Sequence, residues 1–141
     1  MRVFIDTNLW VYRLDQREPA KSQKITAWLR EVASKHQIVL STQVLIEFRA
    51  VLTRKLKPPL THSDTRLALH ALASFEVLTT DTQFVLDAHE LAELEQISWF
   101  DALIVEAAIR GRCDLLFSED FGHGRKFGHL TVCNPLESSS S

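Results

Sequence analysis

No stretch of this 141-residue chain approaches the roughly 18 uninterrupted apolar residues that a membrane helix needs, so no membrane role is expected. The opening Met1-Arg2-Val3-Phe4-Ile5-Asp6 is too short an apolar run for a secretion signal, and the expected location is the cytoplasm. Cys113 and Cys133 are the only cysteines, which supply neither a CxxC zinc spacing nor a disulfide framework. They read as free thiols on apolar segments. His36, His62, His70, His89, His123 and His129 form no HxxxH or HExxH pair, so zinc lacks its usual ligands. His123, in a glycine loop, is the histidine best placed to touch a substrate. Charge of one sign is lacking too. With 16 basic and 18 acidic residues the net charge is −2, so any polyanion must be met by local basic residues rather than by a global field.

The 45% apolar and 24% charged residues exclude intrinsic disorder and a fibrous fold. The length fits one domain, expected over residues 1–136, with 137–141 a disordered tail ending in four serines. Short apolar runs that stop at polar residues read as buried strands: Val3-Phe4-Ile5, Ile38-Val39-Leu40, Leu115-Leu116-Phe117 and Leu130-Thr131-Val132-Cys133, with Val77-Leu78 a weaker case. Helical patterns lie between them at Lys21–Lys35, Gln43–Lys55, Thr61–Ser74, Asp81–Glu95 and Ser98–Arg112, the last closed by Gly111 among basic neighbours. Strands alternating with helices predict an α/β domain with a short, mostly parallel sheet covered by helices on both faces. Lys57–Leu60 and the Gly122–Gly128 segment read as loops, the latter as a mobile one.

In such sheets ligands bind beyond the carboxyl ends of the strands. Asp6 ends the first strand, Glu47 lies early in the helix after the second, Asp101 opens the last helix, and Asp120 follows Leu115-Leu116-Phe117 in Ser118-Glu119-Asp120. Each has a simpler reading. Asp6 would cap a helix starting at Thr7, Asp101 would complete a capping box with Ser98, Glu47 would be a solvated edge residue, and Asp120 a turn residue before glycine. Asp101 nevertheless shares its helix face with Ile104, Val105 and Ala108, where a carboxylate wants a partner.

Carboxylates about 6 Å apart repel by about 3 kcal/mol per pair at an effective dielectric near 20, so four gathered together call for a cation. Oxygen-only donors suit Mg²⁺ or Mn²⁺, and that chemistry is usually phosphoryl transfer or hydrolysis. Arg49, Arg54 and Lys55 flank Glu47, and Arg125 and Lys126 follow Asp120, as local contacts for a nucleic-acid phosphate. The same residues would equally receive an acidic segment of a protein partner.

Four pieces in order, Val3-Phe4-Ile5-Asp6-Thr7-Asn8, Gln43-Val44-Leu45-Ile46-Glu47-Phe48, Trp99-Phe100-Asp101-Ala102-Leu103-Ile104 and Leu116-Phe117-Ser118-Glu119-Asp120-Phe121, together resemble the PIN-domain family and, within it, the VapC toxins. The resemblance spans nearly the whole chain. It implies a metal-dependent endoribonuclease that forms a homodimer and is held inactive by a cognate antitoxin. By position, the family's acidic quartet falls on Asp6, Glu47, Asp101 and Asp120. Asp6 and Asp101 would be the principal Mg²⁺ ligands, Asp120 would complete the site, and Glu47 would orient the attacking water or act as base. Thr7, Asn8 and Ser118 stand where supporting polar groups are carried, Ser118 replacing a frequent threonine.

Other readings make different demands. A receiver-type phosphotransfer domain needs adjacent acids after the first strand, where only Asp6 stands, and a haloacid-dehalogenase-like phosphatase needs a second Asp at Asn8. A PIN nuclease of RNA processing or decay, rather than a toxin, shares every site residue.

Overall fold

The computed structural model describes residues 1–137, so the serines at 138–141 lie outside the described residues. Six strands, β1 (Arg2–Ile5), β2 (Gln37–Ser41), β3 (Glu76–Leu78), β4 (Leu115–Phe117), β5 (Lys126–Phe127) and β6 (Leu130–Cys133), form one sheet in the order β3-β2-β1-β4-β6-β5. All neighbours are parallel except β5 and β6. Helices α1 (Thr7–Tyr12), α2 (Pro19–Lys35), α3 (Thr42–Arg54), α4 (His62–Ala73), α5 (Thr82–Glu95) and α6 (Trp99–Arg110) flank it in a single α/β domain.

The central strand is apolar because it is covered on both sides: Val3, Phe4 and Ile5 are fully buried. The amphipathic helices bury one stripe each, for example Val44, Phe48 and Leu52 of α3. Pro19 opens α2 two residues before the periodic pattern starts, since a proline's fixed φ suits the first turn and its missing N–H is not needed there. At the amino edge Arg2 acts as a clamp. Its Nε donates to the Gly111 carbonyl at 2.6 Å and its guanidinium to Glu76 at 2.7 and 3.1 Å, which ties β1, α6 and β3 together.

Two expectations are corrected. The Gly122–Gly128 segment is not a free loop. Within it β5 pairs antiparallel with β6, because Phe127 is buried edge-on against Phe121 at 5.9 Å. Gly128, at φ 64°, then makes the two-residue turn into β6, where a positive φ is required. Gly111 is a glycine for a different reason from a left-handed helix cap. Its φ is −74° and the positive φ falls on Arg112. A Cβ on Gly111 would lie 2.9 Å from Val39 Cγ1 and 3.3 Å from Leu78 Cδ1. The end of α6 is pressed against β2 and β3 at a distance that only glycine permits. Gly111→Ala therefore lowers stability by about 1–3 kcal/mol through overpacking. Urea denaturation measures this, and an unchanged or raised midpoint would refute the close-approach account.

Candidate active site

At the carboxyl edge, the β1–β4 register places Asp6 beside Ser118: Asp6 N donates to the Phe117 carbonyl at 2.9 Å, and Ser118 N to the Cys133 carbonyl at 3.1 Å. Asp6 is the N-cap of α1, as the simpler reading held. One carboxylate oxygen accepts from Thr7 N at 2.7 Å. The other accepts from the Ser118 hydroxyl at 2.8 Å, and the same hydroxyl accepts from Asp120 N at 3.1 Å. Ser118 thus links the first acid to the last. Trp10 fixes α1 from behind, donating its indole N–H to the Ile5 carbonyl at 3.2 Å and packing against Phe75 with ring centroids 5.4 Å apart and planes tilted by 40°.

Glu47 projects from the second turn of α3, half-buried, and accepts from Gln43 Nε2 at 2.7 Å. Gln43 also reaches the Phe100 carbonyl at 3.5 Å, which joins α3 to the start of α6. There Ser98 caps α6 by accepting from Asp101 N at 3.2 Å. The reciprocal half of the box is missing: among the described residues the Asp101 carboxylate makes no hydrogen bond, and it stays partly exposed. Asp120 is exposed on the turn after β4.

Electrostatically the four acids form one group. Burial raises the Asp6 carboxyl to about 7 despite its two hydrogen bonds, and the charges of Asp120 and Glu47 push the same way. Glu47 is raised by burial and then by Asp120 and Asp101, against the Gln43 hydrogen bond. Asp120, though exposed, is raised first by partial loss of solvent around its carboxyl, then by Asp101 and Glu119, with a hydrogen bond to Asp6 acting in the opposite direction. None of the ion pairs among the described residues involves any of the four. Nor do any three histidine, cysteine or carboxylate side chains among the described residues converge into a ready-made ligand set. The donors are oxygens that repel each other and lack basic partners, a set that fits a hard divalent cation. Thr7 Oγ1, directly after Asp6, is buried without a hydrogen-bond partner among the described residues, while Asn8 is partly exposed.

The basic residues divide. Arg49, Arg54, Lys55 and Lys126 are exposed, though Arg54 and Lys55 lie about 10 to 12 Å beyond Glu47 along α3 at 1.5 Å per residue. Arg125 is engaged with α5 instead. It donates to the Glu95 carbonyl at 3.2 Å, lies 3.8 Å from its carboxylate, and stacks on Phe127 at 4.6 Å. Glu106 and Arg110 pair at 2.8 Å. Glu106 is only 12% exposed, and Arg110 reaches Asp87 at 2.6 Å and packs over Phe84, fastening α6 to α5. His123 has its Nδ1 taken by Asn134 N at 3.1 Å. Sequence reasoning overlooked Gln43, whose i,i+4 spacing to Glu47 was a usable signal, and also Tyr12 and Glu119, which hydrogen bond to each other across the mouth of the site.

Residues 3–126 match the PIN domain family profile. Three solved structures share the fold at low identity. VapBC2 from Rickettsia felis, bound to a DNA fragment from its promoter, has 22% identity and a TM-score of 0.63, covering 94% of this chain and 97% of that one. Mycobacterium tuberculosis VapC20, described as a sarcin-ricin loop cleaving toxin, has 19% identity and a TM-score of 0.61, with 84% and 91% covered. A toxin-antitoxin complex from Klebsiella pneumoniae has 16% identity and a TM-score of 0.61, with 92% and 95% covered. No curated protein matches the chain.

The Asp6 shift has a direct consequence for stability. The folded chain holds a proton up to about pH 7 that the unfolded chain releases near pH 4. The stability this contributes is complete below about pH 4 and is lost as pH rises through 7. Asp6→Asn keeps an acceptor for Thr7 N without the charge. In chelator-treated protein it raises stability at pH 8 by about 1–3 kcal/mol and flattens the fall between pH 5 and 8. Urea melts across that range test this, and an Asn variant less stable at pH 8 would contradict it.

Proposed function

The chain belongs to the PIN-domain family, and from that premise we propose that it is a divalent-metal-dependent endoribonuclease, the toxin of a VapBC-type pair, acting in the cytoplasm. The observation that carries this reading is the group of four acids without basic partners at the carboxyl edge, where Asp6, Glu47 and Asp120 each raise or are raised by the others. In this reading Asp6, Asp101 and Asp120 hold Mg²⁺, for which Mn²⁺ substitutes. When bound, such a cation supplies a more acidic water and offsets charge developing on the scissile phosphate. Asp6 has to release its proton before it serves as a ligand. Glu47, held by Gln43, orients the attacking water and takes its proton. Ser118 and the Thr7 N–H keep the Asp6 carboxylate aimed, and Asn8 lies at the same helix start. Arg49, Arg54, Lys55 and Lys126 are the exposed cations available to RNA phosphates.

Two partners belong to this reading. A cognate antitoxin is supported by the solved neighbours, two of which are described as VapBC or toxin-antitoxin assemblies. A second copy of the chain is supported by Ile46, Trp99 and Phe100, which are 69%, 39% and 63% exposed beside Glu47 and Asp101.

The purified chain is expected to cut a mixed RNA pool with Mg²⁺ or Mn²⁺ and not with EDTA. At limiting metal the rate rises from pH 6 to 8 as Asp6 is freed of its proton. Asp101→Asn abolishes cutting while leaving the metal-free fold as stable as before or more so, because the carboxylate has no hydrogen bond to lose. Cleavage that survives EDTA or Asp101→Asn would refute the assignment.

A further inference from the structure

Helix α1 touches the turn after β4 at two points. From its N-terminal end Asp6 accepts from Ser118, and from its C-terminal end the Tyr12 hydroxyl donates to Glu119 Oε1. The helix is six residues long, so both contacts are made by one short rigid rod of about 9 Å. Ser118, Glu119 and Asp120 are consecutive. The first two are each fastened to α1, and Asp120 is the next residue, its own N–H held by Ser118. The Tyr12 ring is held from its other side by Lys21 of α2, whose Nζ lies 3.7 Å from the ring centroid.

Glu119 is a fifth carboxylate at the mouth of the site, and its charge already bears on Asp120. Left free, it would let the turn move and carry Asp120 out of place. Bonded to a phenol it is occupied and displaced toward α1. Burial and the bond to Glu119 both push the Tyr12 phenol above its ordinary range, so it stays a donor at every working pH.

We propose that Tyr12 is a positioning residue for the acidic site: its hydroxyl latches Glu119 onto α1, which sets the place of Asp120. The inference rests on the reading of the acids as a divalent-metal site, and the experiment separates the two.

Mn²⁺ binding is measured by titration calorimetry, and by the metal-induced rise in melting temperature, on the wild-type chain, Tyr12→Phe and Glu119→Gln. Tyr12→Phe keeps the ring and its packing on Lys21 and loses only the hydroxyl. It is expected to bind Mn²⁺ about tenfold more weakly, the low end of the cost of losing a hydrogen bond that orients a metal ligand, with its metal-free melting temperature little changed. Glu119→Gln retains an acceptor for Tyr12 and is expected to bind within about twofold of wild type, because the latch works through the hydrogen bond and not the charge. In cleavage assays Tyr12→Phe requires more Mg²⁺ for half-maximal rate and recovers at saturating metal, a split that general destabilisation would not give. Equal Mn²⁺ affinity in wild type and Tyr12→Phe would overturn the latch and leave the metal reading intact. Weak binding by Glu119→Gln would overturn it in favour of Glu119 as a ligand. No Mn²⁺ binding by the wild type would overturn both.

Discussion

A carboxylate buried at the end of the central strand is the constraint to which the rest of this molecule answers. Asp6 follows three fully buried apolar residues of β1 and is itself only 7% exposed. Its desolvation is only partly offset by Thr7 N–H and Ser118 Oγ, so a good part of its charging cost is left standing. The two hydrogen bonds also dictate the neighbourhood. Thr7 must begin a helix to present its N–H, and β4 must pair with β1 in the observed register to present Ser118.

The two edges of the sheet treat charge in opposite ways. At the amino edge Arg2 is matched to Glu76 and to the Gly111 carbonyl, and on the outer helices Arg110 is shared among Glu106 and Asp87. Those pairs are structural, partly exposed, and individually worth little. At the carboxyl edge acids of one sign face each other without a basic partner among the described residues. A protein selected only for stability would place an arginine there. Matched charge at one edge and uncompensated charge at the other is the contrast on which the proposed site rests.

The elements that sequence made legible are those whose pattern is local. Apolar runs ending in polar residues located β1, β2, β4 and β6, and periodic stripes located α2 to α6 with small shifts at their ends. The positions of Asp6, Glu47, Asp101 and Asp120 at one edge followed from the same topology. What was not legible depends on pairs remote in sequence. β5 exists because Phe127 finds Phe121 and pairs with β6, Gly111 is small because Val39 and Leu78 come to meet it, and Arg125 is diverted to Glu95 of α5. Tyr12 and Glu119 lie 107 residues apart, and neither carries a spacing that betrays the other. The Ser98–Asp101 box was half right: the serine caps, but the aspartate side chain does not answer.

The bond between Ser118 and Asp6 spans 112 residues of chain, and the β1–β4 pairing behind it is as remote in sequence. Contacts of such separation cost loop entropy before they return any, and they are commonly late events in folding. Along the chain the central strand takes its β2 neighbour from residues 37–41 and its β4 neighbour only from residues 115–117. The acidic group is thus tied to the longest-range pairing in the sheet, so local opening of the β1–β4 seam would part Asp120 from Asp6 and Glu47 while much of the helical structure still stood.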